Sequence, residues 1–171
     1  MSKLVVMGVS GSGKSTLAAG VARALGAQLI EGDQHHLPPS KEKMRLGIAL
    51  EDGDREPWLD YLGALMAYRE GPVVLTCSAL KRAYRQRLRN AVPALRFVYI
   101  EIGEAAAMQR VRDRSGHFFP ASLVADQFRT LESPVGESGI LTVDGQASIE
   151  TQLDSVRSWL GVCGADALKP G

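Results

Sequence analysis

Long apolar runs are missing from this chain of 171 residues: stretches such as residues 4–7 and 73–75 fall far short of the roughly 20 needed to cross a bilayer. The N-terminus also lacks the apolar core of a secretory signal, so the sequence reads as soluble and cytoplasmic. Cysteine is scarce. Cys77 and Cys163 are the only two and form no CxxC pair, which indicates neither a disulfide framework nor a zinc site. Both thiols are expected reduced, and Cys77 buried. Excess charge of one sign is missing as well. With 20 Lys and Arg against 19 Asp and Glu the formal net charge is +1, so no global field attracts nucleic acid or a membrane surface. Any anion site must be local. There is no internal repeat and no low-complexity segment. Hydrophobic residues make up 45% of the chain, which suits one core and a single domain over residues 1–171.

What the chain does have is an alternation of short buried strands with helices. Residues 4–7 form an apolar run ending at Gly8, a strand of the parallel-sheet kind. A glycine-rich loop follows, then Leu17, Val21 and Leu25 on a helical period, with Gly26 where a C-cap belongs. Further strands are expected at 28–30, 72–76, 97–100 and 140–143. Helices are expected around Trp58, Leu59, Leu62, Leu65 and Met66, over 81–90 and 104–112, and through Ile149, Leu153, Val156, Trp159 and Leu160. This order implies an α/β fold of three layers, a parallel sheet covered by helices on both faces. Residues 33–57, polar and proline-containing, and 110–120, cationic then aromatic, fit no scaffold element. Insertions of that kind are where function tends to sit. Residues 161–171 are rich in small residues and are expected to be a loose tail.

Gly8, Val9, Ser10, Gly11, Ser12, Gly13, Lys14 and Ser15 match GxxxxGK[ST] without a mismatch, between a strand and a helix as that motif requires. The glycines permit close backbone approach, so successive N–H groups converge on phosphate at the positive end of a helix dipole. Lys14 supplies a point charge to the β/γ oxygens and the Ser15 hydroxyl a Mg²⁺ ligand, with Thr16 next on the helix. A plain strand-to-helix turn would need neither Lys14 nor Ser15. A dinucleotide-binding loop would want a third glycine where Thr16 stands.

The loop alone does not separate a kinase from an ATPase, a GTPase or a passive nucleotide-binding module. Neither residues 73–76 nor 99–100 run into the Asp of a Walker B strand, and no GTPase base-recognition motif is evident. Asp33 follows the second strand at the carboxyl edge of the sheet. A carboxylate there accepts a proton from an attacking hydroxyl, or simply N-caps the next segment. Arg110 and Arg114 share a helix face while Arg112 points elsewhere; they read either as a cationic lid over a transferring phosphoryl group or as a solvated helix end. His35 and His36 are adjacent, so their side chains diverge, and no second Cys/His pair accompanies them for a metal.

Several segments together carry a family resemblance: the loop itself, Gly32-Asp33 with His36, Lys43-Met44 with Gly47 and Leu50, Asp54-Arg55 before Pro57-Trp58-Leu59, Cys77-Ser78-Ala79-Leu80-Lys81 with Tyr84-Arg85, Gly116-His117-Phe118-Phe119, and Gln127-Phe128 with Thr130-Leu131-Glu132 and Pro134. In this order they resemble the gluconate kinases, P-loop small-molecule kinases related to shikimate kinase and adenylate kinase. The resemblance runs from the loop to about Pro134. It implies a core, a substrate segment about 33–57 and a mobile lid about 110–123. It further implies ATP, Mg²⁺, a homodimer, and conversion of gluconate to 6-phosphogluconate for the pentose phosphate or Entner–Doudoroff routes. By position Asp33 would meet the acceptor hydroxyl, Arg110 the adenine or phosphates, and Arg114 the transferring group. Arg55 and Lys81 become candidates for the sugar-acid carboxylate and His36 for its hydroxyls. The rivals are another small-molecule kinase on the same scaffold, acting on shikimate, a different aldonate or a nucleoside monophosphate, and a non-enzymatic ATP-binding module. After Pro134 the likeness fades, which leaves adenine contacts around Asp144, Gly145 and Gln146 open.

Overall fold

The computed structural model describes residues 2–114 and 120–162. Strands β1 (Lys3–Met7), β2 (Gln28–Glu31), β3 (Val73–Thr76), β4 (Arg96–Glu101) and β5 (Ile140–Asp144) form one parallel sheet in the order β2-β3-β1-β4-β5. The apolar runs are continuous because both faces are covered, and side chains alternate between them. Leu4, Val6, Val74, Val98 and Ile100 join α1 (Lys14–Leu25) and α7 (Ile149–Leu160) in one core layer. Val5, Met7, Val73, Leu75, Phe97 and Tyr99 join α3 (Asp52–Tyr68), α4 (Arg82–Ala91) and α5 (Glu104–Asp113) in the other. The α/β expectation holds, and Cys77 is buried. Among the described residues no helix is long and apolar enough to cross a membrane, and no His/Cys/Asp/Glu cluster suits a metal. Cys163, most of the stretch 161–171 expected as a tail, and the Gly-His-Phe-Phe segment expected in a lid lie outside the described residues.

The expectation that residues 33–57 carry no scaffold is corrected. A 3₁₀ turn (Gly32–His35), helix α2 (Pro38–Arg45) and the start of α3 occupy them, and Pro57 lies inside α3 rather than at its edge. Pro38 sits at the first helical position of α2, where a missing N–H costs nothing. Glu51 and Asp54 form a capping box that starts α3, and Lys43 of α2 donates to the same Asp54 at 2.8 Å, tying the two helices together. A sixth helix, α6 (Ala121–Thr130), begins within the stretch 110–123 expected as a lid.

Arg85 is a structural hub. Its fully buried guanidinium donates to the carbonyls of Ala79, Leu80 and Glu132 and to the Glu137 carboxylate. Burial alone would push the Glu137 carboxyl up, but Arg85 and Arg89 hold it below its ordinary range. The same bonds stabilise Ala79, which takes a left-handed φ of 46°. Removing one partner of a buried ion pair strands the other. Arg85→Met is expected to cost about 3 kcal/mol of unfolding free energy, read as a lower urea midpoint at unchanged slope.

Candidate active site

The carboxyl ends of β1, β2 and β3 meet at the N-terminus of α1. Gly13 is the N-cap of α1 and has no side chain to bond the first turn, while the first intrahelical bond is donated by Leu17. The N–H groups of Lys14, Ser15 and Thr16 are thus without helical acceptors, at the positive end of the helix. Gly11, at φ 83°, lies so close to α5 that a Cβ would stand 2.5 Å from the Ala107 carbonyl. Among the described residues Ser12 Oγ is buried without a hydrogen-bond partner. A concave row of donors with an orphan hydroxyl suits an anion, so these residues fit a nucleotide's phosphates.

Lys14 Nζ donates to Val9 O at 3.1 Å, folded back over its own loop. Burial pulls its ammonium below the ordinary value and Arg114 adds to this, against the raising influence of Asp33 and Glu31. Arg110 donates to Gly11 O, Ser12 O and Gly145 O, the last at 2.7 Å, joining the phosphate loop to the turn after β5. That turn is where the sequence leaves adenine contacts open. Arg114 lines a cavity of about 430 Å³ with Ser10, Ser15, Glu31 and Asp33. Arg110 is thus engaged by the loop rather than left to solvent, while Arg112 and Arg114 are both exposed, Arg114 at the edge of that cavity.

Glu31 is the carboxylate that sequence reasoning missed. It ends β2, where the pairing of Glu31 with Thr76 brings the two side chains together. Its Oε2 accepts from Thr76 Oγ1 at 2.6 Å and from Ser15 Oγ at 3.1 Å. The Ser15 hydroxyl proton is thereby committed to Glu31, which leaves the Oγ lone pairs for a cation. A search for acidic residues at the end of every strand, not just β3 and β4, would have found it.

Asp33 stands two residues on, inside the 3₁₀ turn, and the N-cap of the following helix α2 is Leu37 rather than Asp33. A Cβ on Gly32 would fall 2.2 Å from Thr76 O, so the chain passes β3 too closely for any side chain there. Trp58 Nε1 donates to Gly32 O at 2.8 Å, and His36 stacks on Trp58 with ring centres 4.1 Å apart. His36 Nε2 in turn lies 3.6 Å from Asp33 Oδ1. The cleft walls push the Asp33 carboxyl up, yet His36, Lys14 and Arg114 outweigh them and hold it below the usual carboxylate range.

A second cavity, of about 330 Å³, opens on the other side of Asp33, lined among others by Ser10, His36, Lys41, Arg45, Leu50, Arg55 and Gln127. Ser10 and Asp33 line both cavities. Arg55 is buried, with Nη1 donating to Leu50 O at 2.7 Å and to Tyr84 Oη at 3.4 Å. Tyr84 Oη donates to Asp52, whose carboxylate also accepts from Lys81 Nζ at 3.0 Å. Those two bonds depress the Asp52 pKa. The two cations that sequence alone offers for the acceptor carboxylate are thus separated: Arg55 lines the cavity, while Lys81 pairs with Asp52 and is absent from the lining. Lys41 and Arg45 line it unforeseen, from helix α2. Ser10 N donates to Gln127 Oε1 at 2.7 Å, joining the phosphate loop to α6.

A phosphate cradle on one side of a carboxylate and a cavity bearing Lys41, Arg45 and Arg55 on the other define a P-loop kinase of small molecules. The sequence matches the AAA domain family model over residues 4–134. It is 43% identical over 157 residues to a gluconokinase of Gluconobacter oxydans, covering 90% of this chain and 88% of that protein. The structure is similar to that of a gluconokinase from Sinorhizobium meliloti, with a TM-score of 0.86 and 43% identity over 94% of this chain and 91% of that one. A sugar kinase from Janibacter matches with a TM-score of 0.90 and 38% identity over 99% of each chain. The chain belongs to the gluconokinase family.

Proposed function

We infer that this chain transfers the γ-phosphoryl group of ATP to the terminal hydroxyl of D-gluconate, giving 6-phosphogluconate and ADP. One observation carries the reading: Asp33 stands at the seam between the phosphate side and the cation-lined cavity. Asp33 orients the acceptor hydroxyl and takes its proton as the oxygen attacks phosphorus. Lys14 meets the phosphate oxygens with the loop N–H groups of Gly8 to Thr16, Arg114 approaches from the opposite wall, and Arg110 braces the loop toward the base. Ser15 Oγ, oriented by Glu31, would hold Mg²⁺, which supplies charge neutralisation between the phosphates. Assembly as a homodimer belongs to the same reading and is checked by light scattering on the purified chain.

Arg55 holds the acceptor carboxylate. Of its five N–H donors, only those on Nη1 are engaged among the described residues, and Tyr84 fixes the guanidinium from beneath, 5.6 Å from its ring centre. A charge pair formed equally in ground and transition states acts on KM. Arg55→Met is expected to raise the KM for gluconate about ten- to hundredfold with the KM for ATP nearly unchanged. Lys81→Met, which removes a partner of Asp52 outside the cavity, is expected to do much less. Equal effects of the two would return the carboxylate to Lys81. The function itself is tested by coupled ADP release across gluconate, other aldonates, shikimate, glycerate and nucleoside monophosphates. Preferred turnover of shikimate or a nucleoside monophosphate would displace gluconate.

A further inference from the structure

Gln127 lines the acceptor cavity and has no part in the phosphoryl transfer described so far. Its Oε1 accepts from the backbone N–H of Ser10 at 2.7 Å. An N–H can only donate, so this bond settles which end of the amide faces the loop and turns Nε2 away from it. Ser10, to which it is clamped, is one of the two residues common to both cavities, the other being Asp33. The amide is therefore bonded to one of the two residues through which the acceptor cavity meets the phosphate side. Among the described residues Nε2 has no hydrogen-bond partner, and Asp126, its neighbour in the cavity wall, is paired with Arg129. A donor held this way, in the cavity assigned to the acceptor, is complementary to a hydroxyl oxygen and loses little freedom on binding one.

We propose that Gln127 is an acceptor-binding residue: Nε2 donates to a hydroxyl of the sugar acid near its reacting end while Oε1 stays on Ser10. The proposal rests on the gluconate reading and adds to it a discriminating contact. An acceptor without that hydroxyl leaves the amide N–H unpaired beside the phosphate loop.

The test is a mutant cycle on the full chain, wild type against Gln127→Met, with gluconate and its monodeoxy analogues, followed by steady-state kinetics and by calorimetric titration of gluconate without nucleotide. Loss of one neutral hydrogen bond should lower kcat/KM for gluconate about two- to tenfold, with gluconate binding weakened in proportion. For one analogue the wild type should lose a similar factor and the variant no more, the non-additivity expected of groups in contact. Gln127→Glu, which keeps the acceptor for Ser10 and loses the donor, serves as the second variant if Gln127→Met fails to fold by circular dichroism. Equal penalties for every analogue in both proteins, or a change confined to the KM for ATP, would reduce Gln127 to a brace of the loop and overturn the proposal. Absence of wild-type turnover on gluconate would overturn the functional reading beneath it instead.

Discussion

Asp33→Asn should lower kcat for gluconate by at least about a hundredfold while leaving the KM for ATP close to wild type. The amide keeps the shape and still reaches His36, but it no longer accepts the hydroxyl proton. The carboxyl pKa is already depressed, which makes Asp33 a weak base in the resting site. A weak base suffices here, because in a loose phosphoryl-transfer transition state the nucleophile's proton departs late and positioning carries most of the work. The same depression sets the pH dependence. The accepting form of Asp33 exists above its pKa and is lost as pH falls through it, so the acid limb of kcat/KM should lie below the usual carboxylate range. A limb near neutrality, or a variant impaired only in ATP affinity, would move the proton acceptor elsewhere and leave Asp33 beside the metal.

Lys14→Ala is expected to lower turnover about 10²- to 10³-fold with the fold intact, since one cation aimed at a transferring phosphoryl group in a sheltered site is worth several kcal/mol. Stability should barely change, because among the described residues the ammonium bonds only the carbonyl of Val9 in its own loop. Unfolding midpoint and single-turnover rate measured on the same preparation separate the two effects. Near-wild-type turnover by the folded variant would remove phosphoryl transfer from this loop.

The phosphate loop was legible because its constraints are written in residue types: glycines where the backbone crowds α5, then Lys14 and Ser15 at the head of a helix. The strands were legible because a doubly covered parallel sheet demands unbroken apolar runs. Helix α2 was not, since only Ser40 of its eight residues is buried and no apolar stripe betrays it. Glu31 acquires meaning only through strand register, which brings Thr76 from 45 residues away onto its carboxylate. Arg55 and Lys81 are both plain cations in sequence. What separates them is Tyr84 and Asp52, which lie together in space and 32 residues apart along the chain. Arg85 illustrates the same limit. The resemblance marked it, but its work of holding three carbonyls and Glu137 belongs to packing.

Trp58 gives this enzyme an optical reporter of its own. Its indole is fully buried, bonded to the carbonyl just before Asp33 and stacked on the imidazole of His36, so any shift of that imidazole as the acceptor enters alters the quenching of its emission. The other tryptophan, Trp159, packs in the opposite core layer against Arg96 and is remote from these events. Intrinsic fluorescence thus carries one signal from the acceptor side and one reference from the far face of the sheet, and acceptor occupancy becomes visible in the unlabelled protein, before any phosphate has moved.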